Sequence, residues 1–225
     1  TTYKIEAKDY EINETTGEII PKLDVPTTAV VFDPITETWK NVESGTKAAV
    51  KVVYNYKFSN FHSGSPMSIA DVLYVWAFRW EWAFNDTTVT NETDPLYDSK
   101  YASGVEPFLE TVVAIEVIND TAIAVYGTYV DPVADYITAN YYATWPEHPW
   151  QLMEAMVYCI VNGGPITGET YGWETRKGIC KGIDMIVSTD AADIRRALEI
   201  LKNEQYIPGY LQDYISWDEA EEGYT

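Results

Sequence analysis

The clearest period along the chain lies in residues 48–58. There Val50, Val52, Tyr54, Tyr56 and Phe58 alternate with Lys51, Val53, Asn55 and Lys57. Alternation of period two predicts a strand with one apolar and one mostly polar face, as in a sheet covered on one side. Weaker signals of the same kind come earlier. Two short apolar runs flank Glu14–Glu18 as a hairpin turn would, and Ala29–Phe32 leads into Asp33-Pro34, a turn opener. The period then changes to that of a helix. Over residues 69–84, Val72, Trp76, Trp80 and Phe84 recur every fourth position, and Leu73, Val75, Phe78 and Trp82 carry the apolar surface most of the way round. A helix of this kind is buried on several sides, which predicts a neighbouring domain against it. An open face at Trp76, Trp80 or Trp82 would imply such a partner; a covered one would make the domain self-contained.

Residues 111–127 read as a hairpin turning at Asn119-Asp120. Helices are predicted over 130–142, 149–161 and 190–204, the second stopped by Asn162-Gly163-Gly164-Pro165. The polar stretch 85–106 predicts an exposed loop, and residues 166–188 show no clear period. Strands and helices in blocks, with antiparallel hairpins dominating, make an α+β chain: an antiparallel sheet with hairpins packed against several helices. Near the C-terminus, Ser216 and Glu219 have capping-box spacing, and Asp218, Glu221 and Glu222 crowd what would be a first turn. This predicts a helix that the chain leaves unfinished at Thr225, and hence an excised or processed piece of a longer protein.

Composition narrows the partners. The 225 residues carry 35 acidic and 15 basic side chains, a net charge of −20. That balance excludes a nucleic-acid backbone binder and argues against an anionic membrane surface. With 46% apolar and 14% aromatic residues the chain has ample material for a core. Four Asn-x-Thr sequons, at Asn13, Asn85, Asn91 and Asn119, fit a secreted, glycosylated chain. Cys159 and Cys180 leave two states open, a disulfide outside the cell or two thiols inside it.

Chemistry is sparse. His62 and His148 lack metal-ligand spacing to each other or to the cysteines, so no metal and no cofactor are implied. Phosphate-binding glycine loops, nucleophile elbows and calcium loops are missing from the sequence. The pair Glu221 and Glu222 lies on a solvated segment, a poor acid–base site. Trp145 and His148, on a proline-flanked loop, are the low-grade ligand-contact candidates.

The run from Tyr54 to Val72 is more specific than any of these patterns. Its residues His62, Gly64, Pro66, Ser68, Ala70, Asp71 and Val72 resemble the signature of family 5 extracellular solute-binding proteins, the peptide- and nickel-binding components of ABC importers. Ser63 and Ser68 stand where the family usually has Asp and Thr. In this signature Gly64 and Pro66 turn the chain, Ser68 caps the helix and Asp71 answers from the third position. It is a structural junction, not a ligand site. The hairpin 111–127, Asp131-Pro132-Val133 and Trp145-Pro146-Glu147-His148 extend the resemblance over residues 28–150.

The resemblance implies the accessory subdomain of the first lobe in residues 1–150, followed in 151–225 by a truncated helical extension like that of larger archaeal members. It implies no catalysis and a small solute, foremost a peptide, as ligand. The partners it implies are the remaining lobes of the parent and ABC permease subunits. It places the chain at the outside of the cell, membrane-anchored through other parts of the parent. The competing reading is a structural or cell-surface interaction domain with no small-molecule ligand; an enzyme built on a carboxylate pair is a remote third.

Overall fold

The computed structural model describes residues 1–225, the side chain of Thr88 excepted. The chain divides into two compact units, 1–92 with 97–145, and 93–96 with 146–225. In the first unit the strands are β1 (Thr2–Lys8), β2 (Tyr10–Ile12), β3 (Ile19–Pro21), β4 (Leu23–Asp24), β5 (Val30–Asp33), β6 (Thr38–Asn41), β7 (Lys47–Ala48) and β8 (Val50–Asn55). Helices α1 (Ile69–Ala83), α2 (Thr87–Thr90) and α3 (Ser99–Leu109) follow, then β9 (Val112–Asn119), β10 (Ala122–Gly127) and α4 (Asp135–Tyr141). The second unit holds α5 (Trp150–Asn162), β11 (Tyr171–Gly172), β12 (Lys181–Gly182), α6 (Ser188–Asn203), a 3-10 turn at Gly209–Leu211, β13 (Trp217–Asp218) and β14 (Gly223–Tyr224). The architecture is α+β, with an antiparallel main sheet.

That sheet has six strands in the order β1-β8-β10-β9-β5-β6, all neighbours antiparallel. The predicted strand at 48–58 is β8, but it is shorter and buried on both faces. Val52 and Tyr54 pair with Val125 and Ile123 on one side. On the other, Val53, Ala124 and Tyr126 are covered by Val25, Ala29 and Ala48, residues of the chain wrapped beneath the sheet. Strand β10 is consequently buried along its whole length. Beyond this patch the second face turns ionic: Lys51 Nζ lies 3.5 Å from Glu6 and 3.9 Å from Glu116. At Glu6 the edge strand β1 bulges, its register against β8 shifting between Ile5 and Ala7. The β9–β10 hairpin turns one residue later than predicted, at Asp120-Thr121, because the Asn119 carboxamide accepts the Thr121 amide at 2.9 Å.

Helix α1 matches its apolar period, but its aromatic surface is covered within the unit. Phe108 of α3 stacks on Trp76 with ring centroids 5.8 Å apart, Tyr101 meets Phe78 edge-on at 5.7 Å, and Trp39 of β6 meets Trp80 at 6.3 Å. Trp76 and Trp82 are buried and Trp80 is half-buried. The expected neighbouring domain is therefore not required by this helix. Its cover, α3, arises where an exposed loop was expected. The Asp98 carboxylate caps it by accepting the Lys100 and Tyr101 amides at 2.9 and 3.1 Å, while Gly104 and Pro107 mask the helix in a propensity reading. Helix α4 begins at Asp135 instead of 130, because Asp131 accepts the amides of Val133 and Ala134 and holds a turn. Tyr54 then donates to the Ala139 carbonyl at 2.5 Å, tying α4 to the sheet.

In the second unit α5 packs on α6 around Ala155, Met156, Cys159, Ile194 and Ala197. The C-terminal helix expected from Ser216 is replaced by the β13–β14 hairpin. Ser216 and Thr225 exchange two backbone hydrogen bonds of 2.8 Å, and the Trp217 and Tyr224 rings meet edge-on at 5.1 Å. The Asp218 carboxylate accepts the Ala220 and Glu221 amides, so the acidic cluster makes a turn, and Glu219 accepts from Gln205. Among the described residues no helix is long and apolar enough to cross a membrane.

Candidate functional site

The signature residues build a junction between β8 and α1. The Phe61 amide donates to the Ser65 carbonyl at 2.9 Å and the Gly64 amide to the Phe61 carbonyl at 2.9 Å. Gly64 has φ +89°, a left-handed conformation that a β-carbon would strain. Asn60 bridges to Pro66, and the Met67 amide donates to the Ser59 carbonyl, which closes the loop. The Ser68 amide donates to the buried Asp71 carboxylate at 2.8 Å, in the third helical position. His62 is exposed at the loop tip. Gly64, Pro66, Ser68 and Asp71 thus shape the backbone, while Ala70 and Val72 are buried on α1.

The ligand-contact candidates do not line either of the two hollows described below. Trp145 is half-exposed at the end of the first unit, and His148 is half-buried in the second. The sequons lie on turns. Asn13, Asn85 and Asn119 each accept the amide of their own third-position Thr, at 2.9, 3.1 and 2.9 Å. Asn91 ends α2 with φ +61°. Asn85, Asn91 and Asn119 are exposed and Asn13 partly so. Of the two states open to the cysteines, the structure has free thiols: Cys159 is buried in the α5–α6 core and Cys180 Sγ donates toward the Glu174 carbonyl at 3.5 Å. Burial, with Asp193 and Asp190 nearby, pushes the Cys159 thiol up to about 12.

The first unit contains a hollow that no sequence pattern announced. It measures about 170 Å³ and is lined by Arg79 of α1, Val105 and Phe108 of α3, Tyr141 of α4 and Ala143. Arg79 donates through Nη1 to the Thr144 hydroxyl at 2.8 Å. Its guanidinium carbon lies 5.3 Å from the Trp76 ring centroid and 5.1 Å from that of Phe108. Burial pulls the guanidinium's pKa down, opposed by Tyr101 and Tyr56. The available signal was Arg79 itself, the one basic residue between Lys57 and Lys100, set in a helix rich in Trp and Phe.

The second unit has a larger, apolar cleft of about 220 Å³, walled by Trp150, Leu198, Leu201, Tyr206 and Tyr224. It also buries two carboxylates fully, Asp190 and Asp193. Asp193 accepts from the Ile166 amide at 2.7 Å, the Thr167 amide at 3.1 Å, the Thr167 hydroxyl at 2.5 Å and the Tyr171 hydroxyl at 2.8 Å. Asp190 accepts from Lys181, the Thr189 hydroxyl, the Tyr171 hydroxyl and the Asp184 amide. Burial alone would raise both acids, but these donors outweigh it and hold both below the usual carboxylate range. Acids so completely satisfied bind the 163–187 loop to α6; they are poor proton donors or acceptors for a substrate. Among the described residues no group of three or more His, Cys, Asp or Glu is placed to hold a metal ion. No protein-family model matches the chain, and no curated protein matches it.

Proposed function

We propose that this chain is a non-catalytic binding module, the accessory subdomain of a family 5 extracellular solute-binding protein that delivers a small solute, foremost a peptide, to an ABC importer. The observation that carries the reading is the junction 59–71. Its turn, its left-handed glycine and its Ser68–Asp71 cap sit at the positions the family's signature uses for those tasks. Exposed sequons on turns support a position outside the cell. On this reading the remaining lobes of the parent complete the ligand cleft, dock on the permease and carry the membrane anchor.

Calorimetry with a mixed peptide library tests the reading on two proteins. The full-length parent should bind with micromolar or tighter affinity, and residues 1–225 alone should show no micromolar binding. Micromolar affinity of the isolated chain, or a parent that captures no peptide, would overturn it. The second reading, a cell-surface interaction domain without a small ligand, draws on one observation: the tryptophan face of α1 is covered inside its own unit. A parent that takes no peptide but assembles into high-mass particles, read by light scattering, would favour it.

A further inference from the structure

We infer that the hollow beside Arg79 is a binding site for a small carboxylate carrying a short apolar or aromatic group. A guanidinium has five N–H donors in a planar fork. The protein uses Arg79 for one hydrogen bond, to Thr144. The chain has 35 acidic side chains, yet among the described residues none pairs with Arg79. The Trp76 and Phe108 rings offset part of the charge, but a ring face accepts little along the plane of the fork. No Arg79 nitrogen is among the buried unpaired polar atoms, so its remaining donors reach solvent and stand open to an acceptor from outside the protein.

The walls restrict what that acceptor is. Val105, Phe108, Tyr141 and Ala143 line the hollow beside the fork, a mixed polar and apolar surface on which a carboxylate seated at Arg79 can lay a short side chain or ring against Phe108 and Tyr141. A volume of about 170 Å³ admits a carboxylate with a single ring or a short side chain. One guanidinium matches one carboxylate in a two-point contact, whereas a doubly charged phosphate would leave a charge uncompensated in a chain of net charge −20. The site joins three elements, α1, α3 and the end of α4, all within the first unit. The inference does not rest on the transport reading, since it concerns weak binding of a single group and not capture of a peptide.

The test is an NMR titration of residues 1–225 with phenylacetate, phenylacetamide and inorganic phosphate, followed at the Arg79 Nε–H and Trp76 Nε1–H signals. Phenylacetate should give saturable shifts with a dissociation constant of about 1–10 mM. The neutral amide, tested on the unaltered chain, should bind at least about tenfold more weakly. Arg79→Gln should lose about tenfold in phenylacetate affinity, and Arg79→Lys, which keeps the charge without the fork, should fall between. Equal binding of acid and amide would reduce the hollow to an apolar dent and overturn the inference. So would phosphate binding as tightly as phenylacetate, or no saturable shift at Arg79 up to about 50 mM phenylacetate. Peptide binding by the parent can fail while this result stands, and the reverse.

Discussion

Replacing Asp193 by Ala takes one fully buried carboxylate out of the second unit and strands four donors. Hydrogen bonds to a charged acceptor contribute about 1.5–3 kcal/mol each, but the four do not add. The Tyr171 hydroxyl already has a second acceptor in Asp190 at 3.3 Å, and Thr167 and Ile166 sit on an exposed loop where water replaces part of the loss. The expected destabilisation is therefore about 3 kcal/mol, well below the sum of four such bonds. Asp193→Asn keeps an acceptor for those amides and turns its amide toward hydroxyls that can rotate to accept, so about 1–2 kcal/mol is expected.

Urea unfolding, with hydrogen exchange at α6 amides to localise the loss, measures both variants. The sign of the pH dependence adds a second readout. The folded carboxyl lies below its unfolded value of about 3.9, so its contribution is present above that pH and lost as pH falls through the folded value. Asp193→Asn should flatten that part of the acid limb. An Ala variant within about 0.5 kcal/mol of the parent, or an Asn variant worse than the Ala one, would refute the reasoning.

Asp71→Ala should cost about 1–2 kcal/mol in thermal or urea unfolding, because it removes the acceptor of the Ser68 amide at the start of α1. A thiol reagent at neutral pH should label Cys180 in the native protein and Cys159 only after unfolding, as counted by mass spectrometry, since burial holds the Cys159 thiol protonated. Burial also pushes Tyr54, Tyr56 and Tyr142 above their ordinary range. Their folded values exceed the unfolded value of about 10, so stability present below that pH should fall as pH rises past it, visible as tyrosinate absorbance appearing together with unfolding.

Periodicity and local chemistry made α1, α5, α6 and the β9–β10 hairpin legible, because each is specified by neighbours within a few residues. The junction at 59–71 was legible for the same reason: Gly64, Pro66, Ser68 and Asp71 act on backbone close by. Helix α3 was hidden by Gly104 and Pro107, and its driving force is tertiary, the placement of Phe108 and Tyr101 on the α1 aromatics. At the C-terminus one short pattern fits two structures. Ser216 and Glu219 match a helix cap, but the Asp218 turn and the Trp217–Tyr224 cross-strand pair win with bonds the local pattern does not contain. The Arg79 hollow joins positions from 79 to 144, and the Asp193 site joins 166 to 193, so each comes together only on folding.

The bulge at Glu6 bears on how copies of this protein meet. The main sheet has two open edges, β1 and β6, and each presents unpaired backbone groups that another chain could extend into a longer sheet. The β1 edge is kinked at Glu6 and studded with Lys4, Glu6 and Lys8, while β6 is four residues long and carries Lys40. A straight, uncharged edge would let molecules stack strand to strand when concentrated. The kink and its charges oppose such pairing, so a variant that straightens β1 by deleting Glu6 and neutralises Lys4 and Lys8 should polymerise where the unaltered chain does not.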